Sequence, residues 1–351
     1  MAALPEPVHS TVNLIYQAYE NDAEDGNRPH LGASLIGHAC ERFLWLTFRW
    51  VDSKKFPGRM LRLFETGQLE EARLVRNLRR IGVEVHDVTP DGKQWRVSDL
   101  GGHFGGSMDG ACVGLPEAPK TWHVLEFKTH NDKSFKELLS KGSVRFAKPQ
   151  HFAQMQVYMG MTGMERALYM AVNKNDDTIY TERVEYDAVE FARLKARAER
   201  VINANEPPLK ISNDPSWHVC KMCDFHEHCH GEAAPAVNCR TCAHSTPEMD
   251  GDGKWTCASI NHEIGLIGQR MGCPSHRYIP ILLERFGKQK DYVNGDVIYE
   301  TPTGEFANGD PNNGALASEE IRACEQKVML ADCYRIKREL LGQGIDSKVV
   351  A

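Results

Sequence analysis

Val124-Leu-Glu-Phe-Lys-Thr129 sets one acid and one base into an otherwise apolar run. A strand buried on both faces reads as a near-continuous row of Val, Ile and Leu. Side chains along a strand alternate faces, so Glu126 and Lys128 point the same way as Val124, while Leu125, Phe127 and Thr129 take the other face. A same-face Glu/Lys pair on a core strand is either a buried ion pair or a site. Burying both ions without further partners is costly.

Asp109 lies in "GGSMDG", read as part of the strand before this one. A hairpin between the two places Asp109 beside Glu126. Adjacent carboxylates repel unless a cation lies between them. Mg²⁺ takes oxygen ligands, usually one or two carboxylates plus water and substrate phosphate. Lys128 then lies next to the metal, a layout suited to phosphodiester hydrolysis. The cation activates water and stabilises the anionic transition state; the lysine positions the water or offsets charge.

Working outward, residues 8–20 read as a helix. "SLIGHACERFLWLTFRW" (34–50) reads as a mostly apolar helix with Ser34 as N-cap. "MLRLFETGQLEEARLVRNLRRIG" (60–82) has Leu and Val at helical spacing and ends on Gly82. "VEVHDV", "WRVSDL", "GGSMDGACVG" and "TWHVLEFKT" read as strands between Gly, Pro and Asp turns. A helix starting near Pro149, the strands "RALYMAVNK" and "TIYTERVEY", and the amphipathic helix "AVEFARLKARAERVINAN" follow. This order predicts an α/β core with a mixed central sheet flanked by helices. Residues 281–351 show only a possible hairpin, "DVIYETPTGEFA", and a final helix, "SEEIRACEQKVMLADCYRIKRELL".

The chain has 351 residues, 41% hydrophobic and 26% charged, as in soluble globular proteins. No apolar run approaches the ~20 residues needed to span a bilayer, and "MAALPEPVHS" lacks the features of a secretory signal. The expected compartment is the cytoplasm, where clustered cysteines point to metal rather than disulfides. The net charge of −6 indicates no global affinity for nucleic acid, so such a surface must be local. Lys133, Lys136, Lys141, Arg145 and Lys148 against Asp132 and Glu137 make one basic stretch, and Arg73, Arg76, Arg79 and Arg80 another. Both could follow a DNA backbone, with Phe135, Phe146 and Phe152 available for base stacking.

Seven of the 11 cysteines fall into two sets. Cys220, Cys223 and Cys229 form C-x2-C-x5-C, with Cys40 far upstream. Cys239, Cys242, Cys257 and Cys273 form C-x2-C-x14-C-x15-C, a spacing that suits tetrahedral structural Zn²⁺; a second iron–sulfur cluster is the alternative. His226, His228 and His230 in the first set, and His244, His262 and His276 in the second, are candidate substitute ligands. The "GEAAPAV" linker separates the sets, giving expected domains 1–235, 236–280 and 281–351.

Asp109 followed by Glu126-Phe-Lys128 resembles the D…(D/E)-x-K signature of the PD-(D/E)XK nuclease superfamily, with the "PD" element present only as Met108-Asp109. Two further elements strengthen the resemblance. "FETGQLEE" supplies G-x-x-x-E with Gly67 and Glu71, similar to the family's helix carrying a metal-ligating acid, with Glu70 as rival. "QHFAQMQVYM" supplies Q-x-x-x-Y with Gln154 and Tyr158, as in the RecB-like branch, with Gln156 as competitor. Gln154 and Tyr158 are i,i+4 and share a helix face.

One cysteine before the core and C-x2-C-x5-C after it resembles the CRISPR-associated iron–sulfur exonucleases and AddB-type nucleases. That resemblance implies a [4Fe–4S] cluster on Cys40, Cys220, Cys223 and Cys229. It spans roughly residues 30–230. It implies a phage-encoded, Mg²⁺- or Mn²⁺-dependent DNA exonuclease of recombination or repair. DNA ends, single-stranded or duplex, would be the substrate, a recombination or annealing protein a possible partner, and no membrane is involved. A non-catalytic DNA-binding or assembly protein and an Fe–S redox or regulatory protein are the other classes.

Overall fold

The computed structural model describes residues 10–348 except 24–25, 53–54 and 326. Helix α1 (Thr11–Asp22) precedes a short strand β1 (Leu31–Gly32), α2 (Glu41–Phe48) and the long α3 (Gly58–Arg80). Then come β2 (Glu84–His86), β3 (Arg96–Asp99), β4 (Phe104–Ser107), β5 (Ala111–Val113) and β6 (His123–His130). Helices α4 (Asp132–Lys141), α5 (Val144–Ala147) and α6 (Pro149–Thr162) lead to β7 (Arg166–Asn173), β8 (Ile179–Glu185) and α7 (Ala188–Asn203). The central sheet has the order β2-β5-β6-β7-β8, parallel only between β6 and β7. A smaller sheet, β1-β4-β3, lies beside it.

The alternation of β6 decides the layering. Val124 packs with Ala167 and Tyr169 of β7 and with α2, α6 and α7 in one core cluster. Leu125 and Phe127 pack on the other face with Leu74, Val75 and Leu78 of α3. Pro149 occupies the first turn of α6, where its missing N–H costs nothing. The expected mixed sheet flanked by helices is present.

Two expectations need correction. The helix expected from Ser34 begins at Glu41, with Cys40 at its N-cap. The preceding residues serve another purpose: Ala33 N donates to Gly105 O (2.7 Å), and a Cβ on Gly37 would lie 2.8 Å from Gln150 Cα on α6. "GGSMDGACVG" is not one strand but β4 and β5 in different sheets, with Asp109 in the bend between them. Gly110, at φ +138°, makes the bend, and a Cβ there would meet His86 O at 2.7 Å. Of the first helix expected over 8–20, residues 8–9 lie outside the described residues.

The cysteine-rich segment carries two short helices, α8 (His218–Lys221) and α9 (His226–Cys229), a sheet of β9 (Ser245–Pro247), β10 (Trp255–Cys257) and β11 (His262–Glu263), and α10 (Leu266–Gln269). No core boundary separates it from what precedes, because Trp255, Ile264 and Ile279 belong to the same cluster as Trp45 and Phe48. Arg240 fastens the two parts. Its buried guanidinium lies 3.7 Å from the Trp50 ring centre and 4.6 Å from that of Trp255. It donates to Phe48 O (3.0 Å), Pro29 O (2.8 Å) and Gln269 Oε1. The C-terminal part is a meander of β12 (Lys288–Val293), β13 (Asp296–Thr301) and β14 (Gly304–Asn308) with its own apolar cluster. The expected final helix is two, α11 (Ser318–Ala323) and α12 (Leu330–Gly342), and the break brings Lys337 to Glu320. Among the described residues, no helix is long and apolar enough to cross a membrane.

Candidate active site

The antiparallel register pairs Ala111 with Val124 and Cys112 with His123, and extending it by two residues sets Asp109 opposite Glu126. There the ladder changes character. Leu125 N donates to Gly110 O (2.9 Å), but the next inward amide, Phe127 N, donates to the Asp109 carboxylate at 2.7 Å. The Asp109 side chain thus replaces a strand carbonyl and is fixed beside β6.

Glu126 is fully buried and ion-paired through Oε1 to Lys128 Nζ; its Oε2 has no hydrogen-bond partner among the described residues. An orphaned buried carboxylate oxygen is expensive and calls for an explanation such as an ion. Burial pushes the Glu126 carboxyl up to about 8, with Lys128 opposing and Asp109 adding. Burial and then Asp109 push Glu71 up to about 7, against Lys128. Asp109 is raised by burial, while Lys128 and the Phe127 amide pull it down. Burial disfavours the Lys128 ammonium, but Glu126, Asp109 and Glu71 outweigh it and hold its pKa above the ordinary value. Three carboxyls and one lysine therefore share a field with too little positive charge. That donor set fits a hard divalent cation.

Asp109, Lys128, Gln154 and Tyr158 line one cavity of about 540 Å³. Gln154 Nε2 donates to Tyr158 Oη (3.2 Å), and Tyr158 Oη donates to Ser107 O (2.7 Å) on β4. Gln156 is fully committed elsewhere, donating to Glu185 O and accepting from Asp187 N between β8 and α7. Glu70 is ion-paired with Arg73 at 2.9 Å, whereas Glu71 feels Asp109 and Lys128.

Sequence reasoning missed Arg28, His30, Arg96 and His151, which line the same cavity. His151 was readable, since it lies three residues before Gln154 on α6. Arg28, His30 and Arg96 arrive through the β1-β4-β3 sheet and carry no local signal. The expected basic stretch is largely neutralised: Lys136 pairs with Asp132, Lys141 and Lys148 with Glu137, and Arg145 with Asp187. Phe135 and Phe152 are core residues, leaving only Phe146 of the three exposed.

Among the described residues, no cysteine is in a disulfide. Burial, Cys229 and Cys40 raise Cys223 to about 11 against the Phe225 amide, which donates to its Sγ (3.4 Å). Cys220 adjoins through Cys223 N to Cys220 O (3.0 Å). Burial, Cys242, Cys273 and Cys257 raise Cys239 to about 11, and Arg277 N donates to Cys242 Sγ (3.5 Å). Mutually repelling thiols beside N–H donors are chemistry that fits a thiophilic metal or cluster. Among the described residues, no three His, Cys, Asp or Glu side chains are arranged as a formed ion-holding group. His276 is occupied by Ser318 Oγ (2.8 Å) and His228 by Asp52 (3.3 Å).

A family model, "PD-(D/E)XK nuclease superfamily", matches residues 7–230. The chain belongs to that superfamily. No curated protein matches it. Similar solved structures include LHK-Exo in complex with dAMP (18% identity, 54% of this chain and 89% of that chain, TM-score 0.37). Others are LHK-Exo, an alkaline exonuclease from Laribacter hongkongensis (18%, 53% and 90%, 0.37), and SSO0001 (15%, 64% and 98%, 0.38). The PD-(D/E)XK match covers the central sheet, α3, α6 and the first cysteine set, and ends before Cys239.

Proposed function

We propose that this PD-(D/E)XK chain is a Mg²⁺- or Mn²⁺-dependent deoxyribonuclease that degrades DNA from its ends. The observation carrying the reading is the Asp109–Phe127 hydrogen bond, which fixes one carboxylate opposite Glu126 and beside Lys128 at the wall of a cavity. Asp109 and Glu126 would hold the cation, with Glu71 as a further ligand. The bound cation supplies charge stabilisation and lowers the pKa of a water. Lys128 holds the attacking water and offsets developing phosphate charge, a task for a compact ammonium. Gln154 and Tyr158, braced on Ser107 O, orient the strand. Arg28 and Arg96 lend the cavity the positive charge that the acidic chain lacks overall.

We further assign [4Fe–4S] to Cys40, Cys220, Cys223 and Cys229, and Zn²⁺ to Cys239, Cys242, Cys257 and Cys273. The biological setting is DNA recombination or repair in a host cytoplasm, from a phage-encoded gene, alongside a recombination or annealing protein. Anaerobically purified protein should be brown, with about four iron and one zinc per chain from these ligand sets. It should shorten end-labelled single- or double-stranded DNA in Mg²⁺ or Mn²⁺ and not in EDTA. Intact DNA under all metal conditions defeats the nuclease reading; colourless protein with two zinc ions defeats the cluster assignment.

A further inference from the structure

The mechanism above leaves a buried chain of hydrogen bonds unused. His151 Nδ1 lies 3.0 Å from Tyr169 Oη, Tyr169 Oη lies 2.8 Å from His130 Nε2, and His130 Nδ1 lies 2.9 Å from Ser134 Oγ. Tyr169 is fully buried and sits opposite Glu126 in the β6–β7 register. His151 lines the cavity that holds Asp109 and Lys128, and also a neighbouring cavity of about 670 Å³ that reaches Cys223. With Nδ1 engaged, Nε2 is the ring nitrogen left for a ligand; it has no hydrogen-bond partner among the described residues.

Tyr169 has one hydroxyl proton between two imidazoles, so the chain has two self-consistent arrangements. In one, Ser134 O–H donates to His130 Nδ1, His130 Nε2–H to Tyr169 Oη, and Tyr169 O–H to His151 Nδ1. The proton of His151 is then on Nε2. In the other, both imidazoles are the opposite tautomer, both hydroxyls are turned round and every hydrogen bond runs the other way: His151 Nδ1–H donates to Tyr169, Tyr169 to His130 and His130 to Ser134. His151 then offers a bare Nε2 lone pair. The two arrangements carry the same charge and number of protons. Both imidazoles are held neutral: burial and then Lys148 push His130 down to about 4, and burial and then Lys128 push His151 down to about 3.

We propose that His151 is a substrate-binding residue, donating Nε2–H to a phosphate oxygen of the DNA strand, with Tyr169, His130 and Ser134 fixing the tautomer that makes it a donor. The inference rests on the nuclease reading for its ligand. An anionic phosphate selects the first arrangement, because the second aims a lone pair at it. A neutral donor adds binding without competing with the cation for charge. Tyr169 and His130 act through His151 and are positioning residues.

Two measurements test this, one independent of cleavage. Fluorescence anisotropy of a labelled 20-mer single strand in Ca²⁺ gives Kd, and steady-state digestion in Mg²⁺ gives KM and kcat. His151→Ala should raise Kd and KM roughly 10-fold or more, the scale of losing a hydrogen bond to a charged group. His151→Gln, which keeps an N–H donor, should recover part of that loss. Tyr169→Phe should give a smaller rise in Kd, measured below its thermal midpoint, which falls because two buried imidazole nitrogens lose their partner. Long-range ¹H–¹⁵N spectra of the DNA complex should show His151 protonated at Nε2, and a mixture of tautomers in Tyr169→Phe. Unchanged Kd and KM in His151→Ala, or protonation at Nδ1 in the complex, overturns the proposal. Wild-type protein that binds DNA tightly but never cuts it overturns the nuclease reading alone, and its Kd series still decides the role of His151. Wild-type protein that binds no DNA overturns both.

Discussion

Glu126–Lys128 and Glu320–Lys337 are the same two side chains in two settings. In the C-terminal part, Lys337 Nζ meets both Glu320 oxygens at 2.9 and 2.6 Å, and Glu320 Oε2 also accepts from Ala317 N at 2.8 Å. Both side chains are nearly sealed, at 5% and 1% exposure. In the central sheet, Glu126 has 0% exposure but Lys128 keeps 27% toward the cavity, and Glu126 Oε2 is left without a hydrogen-bond partner among the described residues. The first pair has its lone pairs filled and joins two helices. The second is surrounded by Asp109 and Glu71 and awaits further positive charge. Burial of a Glu–Lys pair therefore says little by itself; what distinguishes a site is the oxygen that the fold leaves unfilled.

The difference is broken most sharply by substitution. Glu126→Gln or Asp109→Ala should lower cleavage on the order of 10³-fold or more, because a group holding the cation is lost. Circular dichroism should stay near the parent's, while Asp109→Ala should also lower the thermal midpoint because it leaves the buried Phe127 amide unpaired. Activity within tenfold of wild type would make Glu126–Lys128 a structural pair like the other. Glu320→Ala is the mirror experiment. It strands Lys337 and should cost about 3–5 kcal/mol in denaturant unfolding, while folded protein keeps its kcat. A smaller effect follows for Lys128→Ala, roughly 10²-fold in kcat; a rise in KM alone would reassign Lys128 to binding.

The smallest effect is on pH dependence. Glu126 is raised to about 8 and Glu71 to about 7, both chiefly by burial, above the ordinary carboxyl value of 4.5. Between those values the folded protein keeps protons that the unfolded chain has released. The stability these two carboxyls contribute to the metal-free protein is therefore full below about pH 4.5 and is lost as pH rises toward 8. Scanning calorimetry in EDTA should show that decline between pH 7 and 8, above the range in which the buried histidines contribute, shallower in Glu126→Gln, and Mn²⁺ should reverse it near pH 8. A midpoint that climbs from pH 7 to 8 in EDTA would contradict the arrangement.

What was legible in the sequence was local and periodic. Alternation along 124–129 put Glu126 and Lys128 on one face, and i,i+4 spacing joined Gln154 to Tyr158. Charge content misled where one acid serves two cations or comes from far along the chain: Glu137 pairs with both Lys141 and Lys148, and Asp187 with Arg145, which a net count over the stretch does not register. Aromatic content misled likewise, because Phe135 and Phe152 face inward. Arg28, His30 and Arg96 reach the cavity only because β1, β4 and β3 pair, an arrangement set by long-range hydrogen bonds rather than by neighbours in the chain.

Arg240 gives that wall a timetable. Its guanidinium holds Pro29 O, and the residues on either side of Pro29, Arg28 and His30, line the cavity. Gln269, which holds the guanidinium from behind, lies 29 positions further along the chain. A ribosome-bound chain that has released only its first 235 residues thus carries Asp109, Glu126 and Lys128, the pairing of β1 with β4 and the bond from Trp50 Nε1 to Arg28 O, but not the clasp on Pro29. That last hydrogen bond on the segment forms only once the cysteine-rich segment has been made.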